Sequence, residues 1–359
     1  MTEPAATSSA TPASPPVTTD DASLVETTLF EVKKVIVGQE RLLERLMVGV
    51  LANGHVLVEG LPGLAKTLAA ETLATVVGGT FGRIQFTPDL LPADITGTRI
   101  YRSSSESFGV ELGPVFVNIL LADEINRAPA KVQSALLEVM AERQVTIGKT
   151  TYPVPAPFMV VATQNPIESE GVYPLPEAQR DRFLMKVLVD LPSPAEELQI
   201  VQRMGVDPPT PVERLSLDDL LRLQKATRDA IYVDRSVQEY AVNLVVATRE
   251  PGRFGRADLA PLLSYGASPR ASLGLVAAGR AMALLRRRSY VLPQDVFDVA
   301  PEILRHRLVL SYEALAQGID AEVILAQLLS TVVAPRLTPT QDPTALPVPP
   351  RPPSNGGPA

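Results

Sequence analysis

The 359-residue chain carries a formal net charge of -7 and a pI near 5.1, which argues against a broad non-specific grip on nucleic acid, since that needs a basic face. Cysteine is absent, which removes disulfides, thiol nucleophiles and thiolate metal sites, and the two histidines, His55 and His306, lie too far apart in sequence to suggest a structural zinc site. By its length, and with 45% hydrophobic residues, the chain is expected to hold about two globular domains.

Residues 1–22, MTEPAATSSATPASPPVTTDDA, are rich in Ala, Ser, Thr and Pro and lack the basic start and apolar core of a signal peptide, so a solvated tail is expected there. No apolar run is long enough to span a bilayer, and a cytosolic location is expected. From residue 23 to about 192, apolar runs alternate with helical patterns. HVLVEG, RIQFTPD, NILLADE, PFMVVATQNP and RFLMKVLVDLP each read as short strands, near-continuously apolar as parallel strands covered on both faces are. Helical segments such as AKVQSALLEVMAE separate them, which predicts an α/β sandwich. After DLPSPAEE, with Pro192 and Pro194 at the joint, the pattern turns helical. Segments such as LDDLLRLQKATRDAI, RASLGLVAAGRAMALLRRR and PQDVFDVAPEILRHR predict a smaller all-α domain over 193–335. The proline-rich stretch 336–359 predicts an extended tail, with a proline-motif ligand for a partner as the alternative.

Ligands of an open parallel sheet bind outside the carboxyl ends of its strands. HVLVE is followed by GLPGLAKT, NILLA by Asp123 and Glu124, and FMVVATQ by Asn165. Three strands therefore end in groups suited to a phosphate, a magnesium ion and an attacking water, on one edge of one sheet. This coincidence identifies a nucleotide site, although the loop departs from G-x-x-x-x-G-K-[ST] by having Ala65 in place of the last glycine. Gly60 and Gly63 supply unusual dihedrals and close backbone approach. Pro62, Leu64 and Leu68 complete the binding loop. Ala65 is expected to open the following helix with ordinary right-handed dihedrals. Lys66 is expected to bridge the β- and γ-phosphates of ATP and the Thr67 hydroxyl to bind Mg²⁺, with the helix N-terminus adding its attraction for anions. Asp123 would hold the metal, through water, and Glu124, next to it, would polarise the hydrolytic water. The alternative is an acidic pair that merely starts the next helix. Asn165 would sense the γ-phosphate or water, its alternative being an Asn-Pro turn.

Two arginine features extend this reading. EAQRDRF puts Arg180 and Arg182 before the final strand, where one of them could stabilise transition-state charge in a neighbouring subunit, or both could pair locally with Asp181 and Glu177. In GASPRASLGL, Ser268 reads as a helix N-cap and Pro269 as the first helical residue, which leaves Arg270 facing the positive end of a helix dipole. An anion is therefore expected beside Arg270, and a γ-phosphate would serve. His55, at the start of a strand, and His306, in ILRHRL, read as structural or packing residues.

Taken together, VGQE, GLPGLAKT, LLADEINRAPAKVQSALLEVMAERQVTI, VVATQNP, LPEAQRDRFLMK and YGASPRAS resemble a MoxR-type AAA+ ATPase over residues 24–335. The resemblance implies an αβα sandwich around a five-stranded parallel sheet, followed by a smaller all-α lid. It also implies hairpin insertions facing a central pore, for which TGTRIYRSSSESFGVELGPVF and RQVTIGKTTYPVPAPF are the matching segments. Both read independently as hairpins, with turns at Ser104–Ser107 and Gly148–Lys149. Members are similar to magnesium chelatase subunits and are thought to form hexameric rings that mature other proteins or insert metals, often with a von Willebrand factor A domain partner. Val37 and Gly38 match the motif that contacts adenine. Where Arg180 stands the family usually has leucine, so the resemblance favours Arg182 as the trans arginine and leaves Arg180 as an extra charge; Arg127 has no derived role. A nucleic-acid motor, a chelatase motor subunit and a metabolic phosphotransferase are the competing readings. The best basic cluster for the first, LLRRRSY, ends a helix, where cations offset the dipole in any case.

Overall fold

The structure, a computed structural model, describes residues 18–103, 106–166, 171–205 and 208–336. The expected tail residues 1–17, the proline-rich 337–359 and the turn residues Ser104 and Ser105 lie outside these described residues. The first helix, α1 (Thr19–Val35), begins inside the stretch expected as a tail. Its start is a reciprocal cap: the Asp21 N–H donates to Thr18 Oγ1 at 3.2 Å while the Thr18 N–H donates to Asp21 Oδ2 at 2.9 Å.

Five strands form the central sheet: β1 (Val56–Gly60), β2 (Phe81–Gln85), β5 (Ile119–Asp123), β8 (Met159–Gln164) and β9 (Met185–Val189). Their order is β2-β5-β8-β1-β9, all parallel, so all carboxyl ends share one edge. Between them lie two antiparallel hairpins, β3 (Gly97–Arg102) with β4 (Ser107–Leu112), and β6 (Gln144–Ile147) with β7 (Thr150–Pro153), at the positions read as insertions. The strands alternate between two cores. Val56, Val58, Leu121, Val161 and Val187 face one, while Leu57, Leu120, Val160 and Ala162 face the other.

The first core is covered by α1, α2 (Glu40–Leu51) and α3 (Lys66–Val76), and the second by α4 (Pro92–Thr96) and α5 (Ala130–Glu142). A one-turn helix, α6 (Glu177–Arg180), leads into β9. The helical region then follows: α7 (Pro194–Met204), α8 (Leu217–Asp229), α9 (Arg235–Arg249), α10 (Pro269–Leu285), α11 (Pro293–Leu304), α12 (Tyr312–Ala316) and α13 (Ala321–Thr331), with a small antiparallel pair, β10 (Leu263–Tyr265) and β11 (Val309–Leu310). The first core runs without a break from the sheet into this lid, through Leu223, Leu244, Leu275, Ile303 and Leu325. A fully buried carboxylate, Glu302 of α11, ties the two regions by accepting from Arg41 of α2 at 2.5 Å. No helix among the described residues is long and apolar enough to cross a membrane.

Candidate nucleotide site

At the carboxyl edge of β1, β5 and β8 lies an open cleft of about 440 Å³, lined by Pro62, Gly63, Leu64, Ala65, Lys66, Thr67, Leu68, Arg83, Gln85, Asp123, Glu124 and Asn165. The loop between β1 and α3 follows from two glycines with different duties. A Cβ on Gly60 would stand 2.7 Å from the Val189 carbonyl oxygen, so glycine there lets β1 run close to β9. Gly63 has φ +81°, and a Cβ there would meet open space, so it serves conformation rather than packing.

Ala65 corrects the expectation of right-handed dihedrals. Its φ is 56° and ψ 20°, left-handed, and it caps the helix rather than opening it. Left-handed residues within such a loop turn successive N–H groups to one side and make a concave anion site, which is why glycine is the usual occupant. Alanine holds this conformation at a cost of about 1–2 kcal/mol.

Lys66 follows as the first residue of α3, and its ammonium donates to the Gly60 carbonyl at 2.6 Å, folding back over the loop. Burial pushes its pKa below the usual lysine value, while the carboxylates of Asp123, Glu124 and Glu59 oppose that shift. Asp123 ends β5 and is held from two sides: Oδ1 accepts from Thr163 Oγ1 at 2.6 Å and Oδ2 from the Arg83 guanidinium at 2.7 Å. Glu124 sits beside it with φ 55°, a strained setting for a non-glycine residue. Its backbone N–H donates to Thr163 Oγ1 at 2.8 Å, and its Oε2 accepts from Gln85 Nε2 at 2.8 Å and lies 3.1 Å from Arg127 Nε. The buried Thr163 hydroxyl thus bridges the two acidic residues, and Asn165, also buried, closes the cleft two residues further along the same strand end.

Thr163, Arg83 and Gln85 were not among the residues singled out from the sequence. Arg83 and Gln85 did leave a signal, as polar residues alternating with Ile84 on β2 and Phe86 just beyond it, with Gln85 in register with Asp123. Thr163 left none, since threonine in an apolar run reads as an ordinary strand former.

The remaining expected residues are not among those that line the cleft. Val37 is buried, and Gly38, with φ +66°, packs against α7, where a Cβ would meet Glu196 Oε1 at 2.6 Å. Arg182 is exposed and donates to the Leu137 carbonyl at 2.6 Å instead of pairing with Asp181 or Glu177. Arg180 lines an adjoining cleft with Glu59, Asn126, Lys186 and Asn165, the last of which it shares with the first cleft. Ser268 caps α10 as expected, its side chain accepting the Arg270 N–H at 3.2 Å. The anion beside Arg270, however, is Asp181, 3.6 Å from its guanidinium. Asp181 also accepts from Arg307 Nε at 2.7 Å and Ser268 Oγ at 2.9 Å.

The two histidines are structural. His55 Nε2 donates to the Met140 carbonyl at 3.2 Å while Nδ1 accepts the Val160 N–H at 2.9 Å, and burial pushes its pKa down to about 3. His306 Nε2 donates to the Phe183 carbonyl at 3.2 Å, and burial likewise holds it well below the usual range.

A phosphate loop, an acidic pair and a polar strand end on one edge of a parallel sheet, with a helical lid behind, define a nucleotide-binding ATPase of the AAA+ class. The family model described as the ATPase family associated with various cellular activities (AAA) matches residues 55–185, and that of the AAA lid domain matches residues 256–328. The chain is similar to chaperone MoxR1 of Mycobacterium tuberculosis, 60% identical over 87% of this chain and 83% of the relative. It is 33% identical to protein MoxR of Methylorubrum extorquens, over 85% of this chain and 93% of the relative. A crystal structure of a candidate ATPase from Cytophaga hutchinsonii superposes with a TM-score of 0.83 at 46% identity, covering 88% of this chain and 96% of that one. The chain belongs to the MoxR family of AAA+ ATPases and is a chaperone-like member of that class.

Proposed function

We propose that the protein hydrolyses ATP with Mg²⁺ in a homo-oligomeric ring, of hexameric size, and spends the hydrolysis on remodelling or maturing a protein client, with a von Willebrand factor A domain protein as partner. The observation that carries this reading is the meeting of Lys66, Thr67, Asp123, Glu124 and Asn165 around one cleft. The donor set fits the ion and the nucleotide. Thr67 and Asp123 offer hard oxygen donors, and no group of three or more His, Asp or Glu among the described residues could hold a metal alone, so substrate phosphates would complete the shell as Mg²⁺ prefers. When bound, the ion neutralises phosphate charge. Lys66 binds the β- and γ-phosphates, Glu124 takes up a proton from the attacking water, and Asn165 orients that water or the γ-phosphate. Arg270, beside Asp181, and Arg182, on the Leu137 carbonyl, supply cations to transition-state charge, Arg182 in trans.

A nucleic-acid motor is the weaker reading. The basic run Arg286–Arg288 is engaged within the chain: Arg286 and Arg288 with Asp295 at 2.8 and 2.5 Å, and Arg287 with Glu26. A chelatase motor subunit would differ chiefly in its client. The test is Glu124→Gln, expected to bind ATP with Mg²⁺ while hydrolysis is nearly abolished, and then to capture the client and its von Willebrand-type partner. Undiminished hydrolysis by Glu124→Gln would overturn the assigned chemistry.

A further inference from the structure

The segment Asp181–Leu184 carries Arg182 and precedes β9 of the sheet, yet it is gripped by the lid. Arg307, 8% exposed and just beyond α11, spends four of its five guanidinium N–H groups there. Nε donates to Asp181 Oδ1 at 2.7 Å, and Nη2 to the carbonyls of Asp181 at 3.2 Å and Phe183 at 2.6 Å. Nη1 donates to the Leu184 carbonyl at 3.1 Å and to the Ile303 carbonyl at the end of α11. His306 adds a second bond to the Phe183 carbonyl, and Ser268 holds the other oxygen of Asp181 at 2.9 Å. The Phe183 side chain is fully buried in the second core of the sheet, whereas Arg182 stays exposed, anchored to the Leu137 carbonyl of α5. Three carbonyls and one carboxylate of a four-residue stretch thus answer to lid side chains. Only a planar five-donor fork can serve them together; lysine has three donors and no fixed geometry.

We propose that Arg307 is a positioning residue for Arg182: it ties residues 181–184, held on their other side by the sheet, to the lid, so that the placement of the lid sets where Arg182 stands. Displacement of one subunit's lid then presents or withdraws Arg182 at the neighbour's nucleotide. This rests on the reading of Arg182 as acting in trans.

The test uses the full chain with Mg·ATP and the variants Arg307→Lys and Asp181→Asn, the second retaining shape and the Ser268 contact should the first not fold. Both are expected to bind a fluorescent ATP analogue as the parent does, and to lose kcat about tenfold or more with KM within about threefold. Adding Arg182→Ala to either should lower kcat no further. Mixing either with Glu124→Gln subunits, which lack hydrolysis but carry an intact Arg182, should restore activity. Arg182→Ala mixed with Glu124→Gln tests the trans reading alone, and its failure to recover activity would remove that reading. If that mixture recovers while the Arg307→Lys and Asp181→Asn mixtures do not, or if both variants keep parental kcat, the positioning role is overturned.

Discussion

Replacing Thr163 with valine keeps the shape of a buried strand residue and deletes one hydroxyl. That hydroxyl donates to Asp123 Oδ1 at 2.6 Å and accepts the Glu124 N–H at 2.8 Å. A bond to a charged group contributes about 1.5–3 kcal/mol, and an orphaned N–H costs about 1–3 kcal/mol. Asp123 keeps its Arg83 contact, so the low end of each range applies and the expected loss is about 2.5–3 kcal/mol. Groups that orient a metal-binding side chain are worth about 10–100-fold in affinity or activity, so hydrolysis should fall by that factor with a raised Mg²⁺ requirement. Nucleotide affinity should change little, because the loop and Lys66 are untouched. Thr163→Ser retains the hydroxyl and should stay close to the parent. Urea unfolding followed by circular dichroism, and phosphate release over a Mg²⁺ titration, read both quantities. A valine variant with the parental unfolding midpoint, rate and Mg²⁺ dependence would refute the bridging role.

Ala65→Gly should relieve about 1–2 kcal/mol of left-handed strain, less about 0.4–1 kcal/mol for glycine's greater freedom when unfolded, giving a small net gain in urea unfolding with ATP binding retained. Marked destabilisation would contradict the loop conformation. Acid should weaken the fold through both histidines. Their folded pKa values are depressed, so their stability contribution is full above the ordinary 6.5 and shrinks as pH falls toward about 3, the folded value of His55. Between pH 7.5 and 5.5 His55 should remove about 1.4 kcal/mol, with His306 acting in the same direction, and a pH-independent unfolding free energy over that range would sink the assignment.

The sheet was legible because parallel strands buried on both faces cannot hide polar residues, so HVLVEG or PFMVVATQNP stands out against any helix. The site was legible because chemistry gathers at strand ends, which the run of apolar letters marks. What escaped was conformation and long-range pairing. Ala65 looks helical because alanine favours helices, and only the loop's need to aim its N–H groups overrides that preference. Asp181 looked like a local partner for its neighbours Arg180 and Arg182, yet it is answered by Arg307, 126 residues away. The start of α1 was readable: Thr18 followed by Asp21 is a capping pair, masked by the low-complexity letters before it.

The strand order carries a consequence for biosynthesis. β1 holds the phosphate loop, and both strands that flank it, β8 and β9, follow it by about a hundred residues or more of chain. A nascent polypeptide emerging from the ribosome therefore displays its phosphate loop on a strand with two bare edges until Met159–Gln164 has been made, and with one until Met185–Val189 has followed. Arrest of translation anywhere between those points leaves a fragment with the nucleotide-binding letters but without the flanks that hold them in place.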